Sequence, residues 1–140
     1  PAAIAAKLFH PARTVVSFAG DGCFLMTGQE FATAVQYRAP AIFIVVNNSM
    51  YGTIRMHQER HFPGRVYGSD LTNPDFAAYA RAFGGFGAVV ERTEEFAGAF
   101  EAAQSSGLPA ILELRLDPEA ITPRQTLSEI RAQALQRSKL

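Results

Sequence analysis

Asp21 lies between two glycines, in Gly20-Asp21-Gly22, where the apolar run Thr14-Val15-Val16-Ser17-Phe18-Ala19 ends. It carries the only charge between Arg13 and Glu30. A second apolar run, Ala41-Ile42-Phe43-Ile44-Val45-Val46, ends on two carboxamides, Asn47-Asn48. One carboxylate and one or two carboxamides all offer oxygen, and oxygen suits a hard cation. Magnesium takes about six oxygens, keeps waters or phosphates among them, and needs only one or two carboxylates from protein. These residues are a poor complete cage. They are a good half-site for a metal whose other ligands come from a diphosphate. Glycines at 20 and 22 allow close backbone approach, and the N–H groups that follow can face phosphate oxygens.

The half-site forms only if the chain brings both turns together. Residues 14–19 and 41–46 are β-branched or apolar throughout and read as buried strands. Between them, residues 28–38 place Phe31, Ala34, Val35 and Arg38 at helical spacing, closed by Pro40. A parallel βαβ unit puts both turns at the carboxyl edge of one sheet, on neighbouring strands. Ligands of open α/β sheets bind in that crevice. A helix starting at residue 28 is too distant for its dipole to be assigned to Asp21.

The remaining elements repeat the alternation. Residues 2–9 read as the remainder of an Ala-rich helix, ended by His10-Pro11. Asn73-Pro74 reads as a cap and first helical residue of a helix to Phe83, stopped by Gly84-Gly85. Residues 87–92 read as a strand. Thr93 reads as the cap of a helix from Glu94 to Ser105, with Gly107 ending it. Residues 110–116 read as a strand with some alternation. Thr126 and Glu129 form a capping-box pattern before a terminal helix to about Lys139. The fold class is therefore α/β, a mostly parallel sheet with helices on both faces. The chain reads as one domain over residues 1–140. It lacks an initiator Met and opens inside a helix-like pattern, so we expect a fragment lacking its first elements.

Residues 49–70 have no clean period and read as an irregular loop with one short helix near 52–58. Arg55, His57, Arg60, His61 and Arg65 fall there. Their favoured reading is a solvated loop. The functional alternative is a lid that attracts an anionic 2-oxo acid or a phosphate and is ordered by cofactor. His10, His57 and His61 have no Cys or carboxylate at ligand spacing, which argues against zinc. The four tyrosines and Met26 and Met56 read as packing.

Composition bounds the class of function. The chain has 140 residues, 48% of them hydrophobic, with 13 basic and 13 acidic residues balancing to zero charge. That balance gives no electrostatic case for nucleic acid or an anionic membrane. The single cysteine, Cys23, rules out an internal disulfide and fits a reducing compartment, so we expect a cytoplasmic protein. No apolar run approaches a membrane span of ~20 residues.

Gly20-Asp21-Gly22, 24 residues, then Asn47-Asn48 resembles the thiamine-diphosphate signature of the pyruvate decarboxylase and acetolactate synthase superfamily. "PAAIAAKL" is similar to the family's segment before that motif, and "NNSMYGTIRMHQER" continues like the acetolactate synthase and benzoylformate decarboxylase branches. The resemblance covers essentially the whole chain. It implies a thiamine-diphosphate-binding fold, with thiamine diphosphate and Mg2+ as cofactors. Asp21, Asn48 and the backbone carbonyl of Met50 match the metal ligands. Gly20, Gly22 and Cys23 match positions whose backbone faces the diphosphate. Tyr51, Gly52 and Thr53 match the turn that closes over it, and Ile54 matches an apolar wall near the substrate. Cys23 would act through its backbone.

The resemblance further implies the C-terminal domain of a larger enzyme that decarboxylates a 2-oxo acid, with carboligation. Such enzymes hold thiamine between this domain and a pyrimidine-binding domain of the same or a neighbouring subunit, in a homodimer or homotetramer. A glutamate of that other domain activates the cofactor, and a large apolar residue just upstream of Pro1 bends it. No catalytic residue is therefore expected within residues 1–140, and no turnover from them alone. A simple decarboxylase, or a non-catalytic cofactor-binding module, stays open, as does a flavin-binding middle domain. A nucleotide-binding Rossmann turn needs G-x-G-x-x-G after the first strand. Gly20-Asp21-Gly22-Cys23-Phe24-Leu25 does not match it.

Overall fold

The two apolar runs form neighbouring parallel strands. β1 (Val16–Gly20) pairs with β2 (Ile42–Asn47), Val16 opposite Ile42 and Gly20 opposite Val46. β2 also pairs with β4 (Ala110–Arg115), Asn47 opposite Arg115, and β4 pairs with β3 (Phe86–Val90). The four strands are all parallel, in the order β1-β2-β4-β3. The computed structural model describes residues 1–137. They group into two compact units, Pro1–Asn47 with Asn73–Arg115, and Asn48–Thr72 with the segment from Leu116 onward.

The first unit holds the sheet and covers both its faces. On one face Ala41, Phe43, Val45 and Ile111 pack against Ile4 of α1 (Ala2–Phe9), Phe24 of α2 (Asp21–Thr27), Phe31 and Ala34 of α3 (Phe31–Gln36), and Phe76 and Ala80 of α5 (Phe76–Ala82). On the other, Ile42, Ile44, Ala110 and Leu112 pack against Ala103 of α6 (Thr93–Ser105), flanked by Phe96 and Phe100. Burial on both faces removes the alternation expected for residues 110–116, and even Glu113 is only 1% exposed. α5 lies so close to β3 that a Cβ on Gly87 would stand 2.1 Å from the Ala77 carbonyl oxygen.

Several boundaries differ from expectation, each for a local reason. The helix expected over 28–38 is a 3-10 turn at Gly28–Glu30 followed by α3, and α2, which was not expected, precedes it. Phe24 lies against Gly28, where a Cβ would stand 2.7 Å from its ring. α2 begins at Asp21 itself, so Gly20-Asp21-Gly22 is a strand end running straight into a helix. An acidic first residue is favoured there by the exposed N–H groups of the first turn. α5 is capped by Asp75, whose Oδ1 accepts from Ala78 N at 2.7 Å, and not by Asn73. α6 starts at Thr93, with Glu95 Oε2 accepting from the backbone N–H groups of Glu91 and Arg92.

The second unit is built on a helix pair. α4 (Gly52–His61) packs against α7 (Leu127–Arg137). α4 is longer than the short helix expected near 52–58. The expected capping box of α7 is present: Thr126 N donates to Glu129 Oε2 at 2.9 Å and Glu129 N to Thr126 Oγ1 at 3.2 Å. Lys139 lies outside the described residues. Among the described residues no helix is long and apolar enough to cross a membrane.

Candidate functional site

In the first unit, alternation along the strands puts Ala19, Val45 and Glu113 on one face, with Asn47 two residues beyond Val45. Asp21, Asn47 and Glu113 therefore meet at the carboxyl edge, on the side that α5 covers. Asp21 is 2% exposed. Its Oδ1 accepts from the backbone N–H of Gly22 at 2.8 Å and its Oδ2 from Asn73 Nδ2 at 2.7 Å. Asn73 Nδ2 also donates to Asn47 Oδ1 at 2.8 Å. Asn47 Nδ2 donates to Glu113 Oε1 at 2.9 Å. Glu113 also accepts from Phe76 N at 3.0 Å and Arg115 Nε at 3.2 Å. The guanidinium of Arg115 is held protonated to still higher pH by Glu113, and also by Glu91.

The two buried carboxylates differ in what neutralises them. Glu113 has a guanidinium. Asp21 has only neutral donors, and no ion pair is formed by it among the described residues. A buried carboxylate without a cation carries an effective penalty of about several kcal/mol. Asn73 Oδ1 adds a buried acceptor with no hydrogen-bond partner among the described residues, a further ~1–3 kcal/mol of desolvation. A divalent cation beside Asp21 fits this set of donors. Among the described residues no three His, Cys, Asp or Glu converge on one point, so any such metal would rest on one carboxylate and neutral oxygens.

The glycines are consistent with a ligand. Gly20 has ordinary extended angles, φ −65° and ψ 157°, and a Cβ there would meet no protein atom within 4 Å. Neither backbone nor packing requires glycine at that position. Gly22 is buried and Cys23 is exposed, in the first turn of α2.

The other expected site residues belong to the second unit. Asn48 Oδ1 accepts from Met50 N at 3.3 Å, and Ser49 between them has the left-handed φ of 57°. Met50 faces Asp70 in an isolated antiparallel bridge. The bridge bonds run from Tyr51 N to Ser69 O and from Leu71 N to Ser49 O, both 2.8 Å, and leave the Met50 carbonyl out. Tyr51 precedes α4, and Gly52, Thr53 and Ile54 form its first turn, with Ile54 53% exposed. A Cβ on Gly52 would stand 2.9 Å from Asn48 Nδ2 and 2.7 Å from Ile121 Cδ1. Gly52 is thus the residue that lets Asn48 lie against the start of α4.

Arg55 is not a free cation of a lid. It pairs with Glu59 at 3.2 Å and Asp70 at 3.0 Å. Glu59 is fully buried and also holds Arg131 and the backbone N–H of Gly64. The hydrogen bond from Arg131 is the main reason its carboxyl is held down to about 2, with Gly64 and Arg55 adding to it against the opposing effect of burial. Sequence reasoning missed Asn73, Glu113 and Glu59. Asn73 and Glu59 sat in patterns with ordinary local explanations, a helix cap and a solvated charged stretch. A carboxylate between Leu112 and Leu114, inside strand 110–116, was the available signal for Glu113.

The carboxyl edge of this α/β sheet thus carries a buried carboxylate with only neutral partners, at the start of a helix. Residues 1–114 match the family described as thiamine pyrophosphate enzyme, C-terminal TPP binding domain, and the chain belongs to that family. It is 35% identical over 117 residues to the acetolactate synthase of Bacillus subtilis strain 168, covering 84% of this chain and 20% of that one. It is 34% identical over 118 residues to the acetolactate synthase isozyme 2 large subunit of Escherichia coli K12, covering 84% and 22%. Among solved structures it is similar to a thiamine diphosphate-dependent 4-hydroxybenzoylformate decarboxylase of Rhodococcus jostii RHA1. That match has a TM-score of 0.77 and 32% identity, and covers 84% of this chain and 22% of that one. The chain thus spans about one fifth of the length of these relatives. The all-parallel sheet flanked by helices is the fold that the resemblance implied.

Proposed function

We propose that the chain is the diphosphate- and magnesium-binding C-terminal domain of a larger, acetolactate-synthase-like enzyme acting on 2-oxo acids. The observation that carries this reading is Asp21, a buried carboxylate whose partners are all neutral. Asp21 ligates magnesium, with Asn48 and the Met50 carbonyl as the other protein ligands. The backbone at Gly20, Gly22 and Cys23 faces the diphosphate, where Gly20 leaves open space. Tyr51, Gly52 and Thr53 close over it, and Ile54 contributes an apolar wall. Thiamine diphosphate, when bound, supplies the electron sink that lets a 2-oxo acid lose carbon dioxide. The chain's own residues anchor and orient it. A pyrimidine-binding domain of the same or a neighbouring subunit completes the site in a cytoplasmic homo-oligomer.

Asp21→Ala in the intact protein tests the metal assignment. The expected outcome is loss of magnesium-dependent thiamine diphosphate retention by calorimetry, with the circular dichroism of the fold preserved. Unchanged affinity with magnesium present sinks it. The likeness to a decarboxylase structure favours one second reading, simple decarboxylation. Product analysis with pyruvate separates the two: an acetohydroxy acid marks the synthase, and an aldehyde alone the decarboxylase.

A further inference from the structure

Asn73 stands where a helix cap is expected, yet Asp75 caps α5. Asn73 is turned instead into the first unit, and both hydrogens of its Nδ2 are used, on Asp21 Oδ2 and Asn47 Oδ1. Two acceptors on one nitrogen settle which way the amide faces. Reversing it would set Oδ1 against two oxygens. The arrangement is kept although it leaves Oδ1 buried and without a partner among the described residues.

The orientation is inherited from further inside. Glu113 is 1% exposed and its oxygens meet only donors: Phe76 N, Arg115 Nε and Asn47 Nδ2. An acceptor-only carboxylate forces Asn47 to present its NH2 inward and its Oδ1 outward. That oxygen in turn accepts from Asn73 and presents a donor to Asp21. Carboxylate, amide, amide and carboxylate form one directed chain with every link between 2.7 and 2.9 Å.

We propose that Asn73 is a positioning residue that fixes the Asp21 carboxylate for the metal, oriented through Asn47 by the buried Glu113. The inference rests on the reading of Asp21 as a magnesium ligand. Asn73 on Oδ2 and Gly22 N on Oδ1 hold the plane of the carboxylate before a cation arrives, and each oxygen keeps a second lone pair for it. A neutral donor orients the carboxylate without neutralising it. A lysine at position 73 would compete with the metal for the same charge.

The test uses the intact protein and titrates Mg2+ in the presence of saturating thiamine diphosphate. Asn73→Ala and Asn47→Ala are each expected to weaken magnesium binding about 10–100-fold, the range for residues that orient metal ligands. The double variant is expected to be no weaker than the weaker single, because both belong to one chain. The resonance spectrum of bound Mn2+, a single set of lines in the wild type, is expected to broaden in both. The melting temperature without metal or cofactor controls for the fold. If Asn73→Ala does not fold, Asn73→Ser, with one hydroxyl donor for two acceptors, is read instead and should show the same loss to a smaller degree. Wild-type magnesium affinity in the folded variant, or an additive double variant, overturns the inference. If Asp21→Ala itself retains magnesium, the metal reading fails and this inference falls with it. If Asp21→Ala loses magnesium and the variants at 73 do not, the positioning role alone falls.

Discussion

On the proposed reading, Asp21 and Gly52 are residues whose types answer to a ligand as well as to the fold. Asp21 carries a charge that burial penalises and its protein partners do not neutralise. Gly52 stands in a helical first turn, where alanine would stabilise by up to about 1 kcal/mol. Against that gain, its Cβ would press on Asn48 Nδ2 and Ile121 Cδ1. Both are ends of side chains, so they yield, and the folded state loses little. What yields includes a proposed metal ligand. Gly52→Ala is therefore expected to leave the melting temperature without cofactor within a few degrees of wild type while weakening magnesium-dependent cofactor binding about tenfold, a loss of ~1.4 kcal/mol. Equal loss of both, or of stability alone, would show that Gly52 serves packing. Asp21 was legible because a charge beyond a buried strand is conspicuous. Asn73 was not, because Asn-Pro before a helix has an ordinary explanation, and only the fold reveals that Asp75 has taken the cap.

At the scale of elements, α4 corrects the sequence reading most. Its charged residues suggested a solvated loop, but the helix is oriented by a buried charge. Glu59 takes Arg55 from its own helix, Arg131 from α7 and the backbone N–H of Gly64. Helical period could not find this, because the anchoring residue is polar and its principal partner lies 72 residues away. The alternation of strands and helices, by contrast, was legible throughout, since burial on both sheet faces leaves continuous apolar runs. The anchor gives a signed pH dependence. The Glu59 carboxyl is held down from 4.5 to about 2, first by Arg131. Its contribution is fully present above the unfolded value and is lost as pH falls through about 2, on the order of 3 kcal/mol in all. Urea unfolding of the wild type should weaken steeply across that acid window. Glu59→Gln should be less stable at neutral pH, because Arg131 loses its carboxylate partner and Arg55 is left with Asp70 alone, and its acid slope should be shallower. Parallel pH profiles for the two proteins would refute the anchor.

At the scale of the whole molecule, the question is what 140 residues can do alone. The sheet edge offers a metal-ready carboxylate, and Gly20 beside it leaves open space. On the proposed reading, those features serve the anionic end of a cofactor. On that reading a glutamate of another domain activates the aminopyrimidine at the other end, and the buried glutamates of this chain are committed elsewhere. Glu59 is held by two arginines and Glu113 by Asn47, Phe76 N and Arg115. The chain spans about one fifth of its relatives' length, and the proposed function assigns the reactive end to another domain. The isolated chain is therefore expected to bind magnesium pyrophosphate and magnesium thiamine diphosphate with similar, weak affinity, because it grips only the part the two share. It should release no carbon dioxide from pyruvate. The intact protein should prefer thiamine diphosphate strongly over pyrophosphate and turn over. Calorimetry with both ligands and a carbon dioxide release assay check this. Turnover by residues 1–140 alone, or a strong preference for the thiamine compound, would mean that this chain also recognises the reactive end.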